Sequence, residues 1–281
     1  MKTFFLRLGR EKMSRRAGMR CALLLWCIVC STVVAQDKPD PFFAPRSAPF
    51  SPVDFPSAQQ ISSPNLLQQI GTDFKNVFIT KENLTIVAVG AGATWGASYF
   101  DEQIVSKSVP SEIEENTTVD NFFEAGQHVG GIVQFAGAFA TFGLGRLLSK
   151  PSVERLGRDL VRAQVVAQTF TFALKLAVAR PRPDGSSNKS FPSGHASGTF
   201  ATATVLQRNY GWKVGVPAYA VAGYVGCSRL NEGRHYLSDV VFGATLGFMA
   251  GRTVTIDRTR TRLTIAPAPD ANGIEIQLKW L

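Results

Sequence analysis

The chain has 281 residues, of which 45% are hydrophobic and 18% are charged. This length can bury a sizeable core in one or two domains, and the composition excludes both low-complexity disorder for most of the chain and a small disulfide-stapled protein. The mean hydropathy of +0.04 argues against a chain that consists mainly of long membrane spans.

The net charge of +9 is concentrated near the first residue. Residues 1–35 contain seven Lys or Arg and one acid, Glu11, so this segment carries +6 and leaves only +3 for residues 36–281. A basic leader is not a basic nucleic-acid-binding surface. We therefore expect no nucleic-acid partner.

Residues 1–35 are typical of an export signal. A basic stretch ends at Arg20, an uncharged run follows from Cys21 to Ala35, and the small residue Ala35 suits cleavage before Gln36. The uncharged run is shorter than the roughly 20 residues that span a bilayer, so a cleaved signal peptide is favoured over an uncleaved anchor. The sequence thus predicts an exported protein.

Cysteine usage agrees with export. Three of the four cysteines lie in the leader, and only Cys227 remains in the mature chain. A single cysteine cannot form an intramolecular disulfide and rules out a Cys-rich metal site. We expect Cys227 to be a small core residue.

Residues 36–57 contain six of the fifteen prolines. Apolar residues lie between them, and four of these apolar residues are phenylalanines. This composition predicts an extended tether, which could lie on a surface through the phenylalanines. A domain of residues 58–255 follows, and Pro64 suits the first turn of an amphipathic helix that reaches about Phe78.

The remainder of this domain is predicted to be helical. Its uncharged runs are rich in Gly and Ala, which suits close helix packing. Only the run Ala125–Gly145 has the length of a bilayer span, and periodicity leaves open whether the others are core helices or marginal spans. The predicted helices are 81–105, 117–148, 151–179, 195–208, 212–228 and 236–254.

Residues 256–281 change character. Leu263 and Ile265 alternate with polar residues, and the same alternation returns over residues 274–280. Asn272-Gly273 lies between the two runs and is a strong turn signal. The predicted architecture is therefore all-α, a compact multi-helix bundle, with a small C-terminal β-hairpin that must pack on another element.

Three short motifs lie between residues 175 and 239. The first is Lys175 followed after six residues by Arg182-Pro183, and the second is Pro192-Ser193-Gly194-His195. The third is Ser228-Arg229, then His235 after five residues and Asp239 after three more. Any one of these residues alone has an ordinary structural explanation, but eleven specified positions in this order are very improbable by chance.

The motifs contain the charges that an oxyanion site needs. Pro181 and Pro183 end the helix that carries Lys175, which places Arg182 in the following loop. With Arg229 these residues supply three cations, and guanidinium groups match phosphate especially well. The second motif adds Ser193 and Gly194 at the start of the next helix, where a hydroxyl and backbone N–H groups favour an anion.

The histidines provide reactive groups. His235 and Asp239 are four residues apart, so they share a face of a helix. A carboxylate that orients one imidazole nitrogen leaves the other free as a nucleophile, and His195 can protonate a leaving oxygen. The cations can supply the charge stabilisation that a metal would otherwise give, so we expect no metal or other cofactor.

In this order and spacing the motifs resemble the type 2 phosphatidic acid phosphatase superfamily, which includes bacterial acid phosphatases and vanadium-dependent haloperoxidases. The resemblance covers roughly residues 120–255. It implies an all-helical fold and a phosphohistidine mechanism, with His235 as nucleophile, Asp239 as its orienting partner and His195 as acid and base. It also implies a set of phosphate ligands, which are Lys175, Arg182, Ser193, Gly194 and Arg229.

The sequence as a whole predicts a metal-independent phosphatase that acts on phosphate monoesters or pyrophosphates. The apolar helices and the tether favour a lipid-like substrate, membrane association, and an active site outside the cytoplasm, in the periplasm or at the cell membrane. A soluble periplasmic acid phosphatase, a vanadate-dependent haloperoxidase and a non-catalytic phosphate-binding envelope protein remain alternatives. Outside the assigned roles, we expect His128 to be structural and Arg234 to face solvent.

Overall fold

The computed structural model of the protein describes residues 65–108, 117–256, 261–267 and 274–280. Within these ranges the chain forms nine α-helices and two β-strands. The helices are α1 (Leu66–Ile79), α2 (Lys81–Ser98), α3 (Asp101–Ser108), α4 (Thr117–Gly130), α5 (Ile132–Leu147), α6 (Pro151–Val178), α7 (Gly194–Tyr210), α8 (Trp212–Asn231) and α9 (Leu237–Val254). The predicted all-α fold is confirmed.

The last two elements are the strands β1 (Thr261–Pro267) and β2 (Ile274–Trp280), which pair antiparallel. Ile265 lies opposite Ile276 in this register. The connecting residues 268–273 lie outside the described residues, so the β-hairpin stays a prediction. The predicted signal peptide and tether also lie outside them.

Two predicted helices are interrupted. The segment 81–105 is divided at Tyr99-Phe100, where α3 restarts with two acids in its first turn, a favourable position in the helix dipole. The segment 117–148 is divided at Gly131, whose φ of −100° and ψ of −126° are not helical. The prediction of two continuous helices was wrong because the apolar sequence pattern continues across both breaks. At residues 130–131 a pair of glycines weakens the helix.

The hydrophobic core lies between α6, α7 and α9. Leu160 and Val166 of α6 pack there with Val205 of α7 and Leu246 and Met249 of α9. Each of these side chains is almost completely removed from solvent. Burial on this scale is the main force that holds the three helices together, and these helices also carry the predicted site residues.

Helices α7 and α9 approach closely along a row of glycines. A Cβ atom on Gly243 would lie 2.5 Å from the carbonyl oxygen of Ser193, and one on Gly247 would lie 2.2 Å from that of Ser197. These distances leave no room for a side chain, so only glycine permits this approach. The same approach brings the beginnings of α7 and α9 together, where the Ser193 N–H donates to the carbonyl oxygen of Asp239 at 2.9 Å.

Among the described residues, no helix combines the length and the apolar composition that a bilayer span requires. The prediction for Cys227 was wrong, since this residue is exposed on α8. The buried positions of α8 include Ala222, Val225, Gly226 and Arg229. At about 100° per residue Cys227 falls on the opposite side of the helix from these positions.

Candidate active site

The three motifs meet where α6 ends and where α7 and α9 begin. Lys175 lies in the last turn of α6. Ser193 is the N-cap of α7, and its buried Oγ accepts a hydrogen bond from the Ala196 N–H at 3.4 Å. His235 lies immediately before α9, and Asp239 is in its first turn. The structure thus brings together the residues that the sequence separates by up to 64 positions.

Lys175 is held beside the loop that leads into α7. Its Nζ donates to the carbonyl oxygen of Lys189 at 2.6 Å and to that of Ser190 at 3.4 Å. Burial lowers the pKa of Lys175 to about 8, and the positive charge of Arg182 acts in the same direction, while Asp239 opposes them. Lys175 therefore lies among positive charges that Asp239 offsets only in part.

Within the described part of the chain, three buried nitrogen atoms of the predicted site residues have no hydrogen-bond partner. They are Nε of Arg182, Nε of Arg229 and Nδ1 of His235. A buried polar atom without a partner is unfavourable unless a ligand supplies one. An anion with several oxygen atoms is the ligand that two guanidinium donors fit best.

His195 lies on the first turn of α7 against the break between α4 and α5. A Cβ atom on Gly130 would lie 2.9 Å from Cδ2 of His195, and one on Gly131 would lie 3.5 Å from its Nε2. Burial lowers the pKa of His195 to about 3, helped by the charges of Arg229 and His235. The imidazole is therefore neutral at neutral pH in the free protein.

His235 and Asp239 face each other as their spacing predicts. His235 Nδ1 lies 3.7 Å from Asp239 Oδ2, and the imidazole is buried. Burial lowers the pKa of His235, Asp239 opposes this, and the charges of Lys175 and Arg182 reinforce it. A neutral imidazole has the free electron pair that a nucleophile needs.

Asp239 is fully buried and is held by groups that are not among the eleven specified positions of the three motifs. Its carboxylate accepts hydrogen bonds from Ser190 Oγ, from the Tyr236 N–H at 2.9 Å and from Arg180 Nη1 at 2.8 Å. Burial raises the pKa of Asp239, but the neighbouring imidazole of His235, these hydrogen bonds and the charge of Arg180 outweigh it and lower the pKa. Nothing in the spacing marks Ser190, whereas the Arg-Pro-Arg-Pro sequence at 180–183 is a signal that could have drawn attention to Arg180.

Arg229 is buried and already has a carboxylate partner. Its Nη2 donates to Glu232 Oε1, and it also donates to Ser228 Oγ at 3.0 Å. Burial raises the pKa of Glu232, against the effect of the Arg229 charge. Ser228 Oγ in turn donates to the carbonyl oxygen of Phe123 at 2.6 Å, which attaches this end of α8 to α4.

Two residues outside the assigned roles complete the comparison with the sequence. Arg234 faces solvent, as predicted, and forms an ion pair with Asp184 at 3.0 Å. His128 lies on α4, and its Nε2 is buried without a partner among the described residues. A structural role for His128 stays a prediction.

The lowered pKa of Lys175 predicts a pH effect on anion binding. Lysine is protonated below its pKa, so above about pH 8 the site loses one positive charge. Because a charged hydrogen bond contributes about 1.5–3 kcal/mol, we expect the affinity for inorganic phosphate to fall about tenfold or more between pH 7 and pH 10. Calorimetric titration with phosphate measures this. In Lys175→Arg the fall should disappear, and a constant affinity in the unmodified protein would contradict the assignment.

Comparison with known proteins relates part of this chain to a known family. Residues 158–262 match the PAP2 superfamily. The chain is 38% identical over 101 residues to the lipid A 1-phosphatase of Porphyromonas gingivalis, which covers 35% of this chain and 21% of that protein. It is 30% identical over 101 residues to the lipid A 4′-phosphatase of Helicobacter pylori, with 32% and 51% covered. The chain thus spans between about a fifth and a half of the length of these relatives.

A solved structure supports the same fold. The transmembrane PAP2-type phosphatidylglycerolphosphate phosphatase of Bacillus subtilis aligns with a TM-score of 0.51 at 22% identity, over 67% of this chain and 95% of that chain. At this identity the likeness concerns the helical fold alone. In this chain the helical fold brings two histidines and several cations together at the helix ends. The match of residues 158–262 to the PAP2 superfamily confirms the resemblance that the motifs indicate.

Proposed function

We propose that the protein is a metal-independent phosphatase that hydrolyses phosphate monoesters or pyrophosphates through a phosphohistidine. The observation that carries the proposal is the meeting of Lys175, Arg182 and Arg229 with two neutral histidines, where both guanidinium groups keep an unpartnered Nε. Such a cluster fits a phosphoryl group, with its three peripheral oxygens, and provides a nucleophile beside it.

In the first step His235 attacks phosphorus, and the bond from phosphorus to the leaving oxygen breaks. His195 gives its proton to that oxygen, so the product leaves as an alcohol and phosphate stays on His235. The free protein keeps His195 neutral because the imidazole is buried and positive charges lie near it. The negative charges of a bound phosphate offset Arg229 and Lys175, which raises the pKa of His195 and allows it to carry the proton.

In the second step water attacks the phosphohistidine. His195, now neutral, takes the proton from water, the bond between nitrogen and phosphorus breaks, and inorganic phosphate is released. His235 regains its free electron pair and His195 its proton, so the cycle closes. Lys175, Arg182 and Arg229 stabilise the charge on the peripheral oxygens in both steps, and Ser193 and Gly194 add donors from the start of α7.

The substrate that we propose is lipid-like. The relatives that share the matched region are named as phosphatases of lipid A. The protein also exposes large apolar side chains, among them Trp95 on α2, Phe139 on α5 and Phe172 on α6, each more than half accessible. Exposed apolar surface of this kind suits contact with acyl chains or a membrane. Export, with the site outside the cytoplasm, completes the proposal.

Purified full-length protein in mild detergent tests the proposal. We expect it to hydrolyse p-nitrophenyl phosphate and lipid phosphates in the presence of EDTA, and to be inhibited by vanadate, which mimics pentacoordinate phosphorus. Loss of activity on chelation that one divalent metal restores would contradict the metal-independent mechanism. A preference for soluble monoesters would favour an acid phosphatase. Oxidation of halide by peroxide in the presence of vanadate would favour a haloperoxidase. Phosphate binding without turnover would favour a non-catalytic protein.

A further inference from the structure

We propose that Arg180 is a positioning residue for the reaction, and that Asp101 of α3 holds Arg180 in place. Arg180 touches neither histidine in our assignment; it acts through the carboxylate of Asp239. The inference rests on the proposed function, because it assigns a role in the same chemistry. It concerns residues that the three motifs do not include, and Asp101 lies outside the matched region 158–262.

The guanidinium group of Arg180 has partners at both of its ends and on one face. Nη1 donates to Asp239 Oδ1 at 2.8 Å and to Ser238 Oγ at 2.7 Å, and Nη2 donates to Asp101 Oδ2 at 2.9 Å. The group also lies over the ring of Tyr236, 3.9 Å from its centroid. Contacts at both ends and on one face fix the position and the plane of a guanidinium group.

Asp101 attaches this arrangement to a different helix. Its side chain is buried, and Oδ1 accepts the Ser238 N–H at 3.0 Å while Oδ2 accepts Ser238 Oγ at 2.6 Å. A carboxylate from α3 therefore satisfies a backbone donor at the start of α9, where the helix dipole favours negative charge. Since the same carboxylate binds Arg180, α3 holds Arg180 and the start of α9 in one fixed relation.

The two oxygens of Asp239 have different partners. Oδ1 accepts from Arg180, whereas Oδ2 accepts from Ser190 and the Tyr236 N–H and faces His235 Nδ1. Arg180 thereby determines which oxygen is presented to the imidazole. Without Arg180 the carboxylate keeps only the hydrogen bonds to Oδ2, so its rotation about χ2 is less restricted and the orientation of the nucleophile is weakened.

The charges around Asp239 make the effect measurable by pH. Arg180 and Lys175 face it as cations, His235 faces it from the start of α9, and Asp101 lies on the far side of Arg180. Removal of Arg180 takes away a positive charge and a hydrogen bond that favour the ionised carboxylate. The pKa of Asp239 must then rise, so the pH below which activity is lost must rise too.

A cavity beside Arg180 offers a second measurement. It has a volume of about 460 Å³ and is lined by Ser98, Tyr99, Asp101, Glu102, Gln103, Arg180 and Tyr236. Truncation of Arg180 would connect the vacated guanidinium position to this space. Free guanidinium could then occupy that position between Asp101 and Asp239.

The experiment compares turnover of p-nitrophenyl phosphate by the full-length protein and by its Arg180→Ala variant from pH 4 to pH 9. We expect kcat to fall about 10- to 100-fold, with a smaller change in KM, because a charged hydrogen bond is lost. The acid limb of the pH profile should move to higher pH, and millimolar guanidinium should restore part of the activity. Asp101→Asn should lower kcat by less and should not move the acid limb to higher pH, because it leaves the cation beside Asp239, and Arg180→Lys should retain more activity than Arg180→Ala.

Arg155→Ala is the matched control, because Arg155 on α6 is exposed and, among the residues that the structure describes, bonds only to the Pro151 carbonyl oxygen of its own helix. It should show neither the pH shift nor the guanidinium effect. If the unmodified protein is active but the pH profile of Arg180→Ala is not shifted, or guanidinium does not restore its activity, the inference is overturned. An inactive unmodified protein instead overturns the proposed function. If Arg180→Ala does not fold, Arg180→Gln, which also lacks the positive charge, decides by the same pH shift.

Discussion

His235→Ala should abolish both turnover and the acid-labile phosphoenzyme. No other group in the proposed mechanism can form the covalent bond to phosphorus, and the cations that remain cannot replace a nucleophile. The variant should still bind phosphate, because Lys175, Arg182 and Arg229 are unchanged. Rapid quenching with labelled substrate measures the phosphoenzyme directly, and phosphate titration shows that the site is intact.

The comparison with His195→Ala separates the two histidines. In the first step this variant lacks the proton for the leaving group, so alkyl phosphates should slow by about 10²- to 10⁴-fold. The p-nitrophenolate group leaves readily as an anion, so its ester should be partly spared in the first step. Asp239→Asn should fall between the two histidine variants, since His235 keeps its place but loses its orienting charge.

The measurement is turnover of both ester types together with phosphoenzyme labelling in each variant. If His235→Ala retains the label while His195→Ala loses it, the roles are reversed. Full activity in both variants would place the reaction elsewhere in the protein.

Gly247→Ala should produce the largest loss of stability among the predicted substitutions. The added Cβ would lie 2.2 Å from the Ser197 carbonyl oxygen and 2.8 Å from the Ala201 nitrogen, both backbone atoms that cannot rotate away. Forcing an extra carbon into a closely packed interface costs about 1–3 kcal/mol or more. The separation of α7 from α9 should lower activity as well, because Ser193 and His195 lie on one helix and Asp239 on the other.

Gly223→Ala on α8 is the matched control. A Cβ there meets nothing within 4 Å, so the higher helix propensity of alanine should raise the free energy of unfolding by about 0.5–1 kcal/mol. Denaturant unfolding of both variants measures the difference. If the two variants had the same free energy of unfolding, α7 and α9 would not be packed as closely as the distances around Gly247 indicate.

Much of the helical fold could be predicted from local signals. The prolines at 181 and 183 end α6 after Lys175, and the Ser-Gly pair at 193–194 begins α7, as the sequence indicates. The spacing of His235 and Asp239 correctly predicts that they face each other. These features succeed because each depends on neighbours within one turn of chain.

The features that the sequence does not reveal depend on distant contacts. Asp101 reaches Arg180 across 79 positions, and no local pattern indicates that a first-turn acid of α3 serves the start of α9. Glu232 lies within the third motif, yet its bond to Arg229 follows from burial that spacing alone does not show. The prediction that Cys227 is buried was wrong for a related reason, because the sequence of an uncharged helix with small residues does not indicate which side faces the core.

The starts of α7 and α9 lie side by side but differ in how their dipoles are compensated. Asp239 lies in the first turn of α9 and Asp101 binds its Ser238 N–H, so two carboxylates of the protein face that positive end. The first turn of α7 contains no acidic residue. In the proposed reaction the substrate supplies the missing negative charge, and the attraction that α7 exerts on it arises from backbone dipoles. That part of phosphate binding has no titrating group, and it therefore persists at alkaline pH after Lys175 has lost its proton.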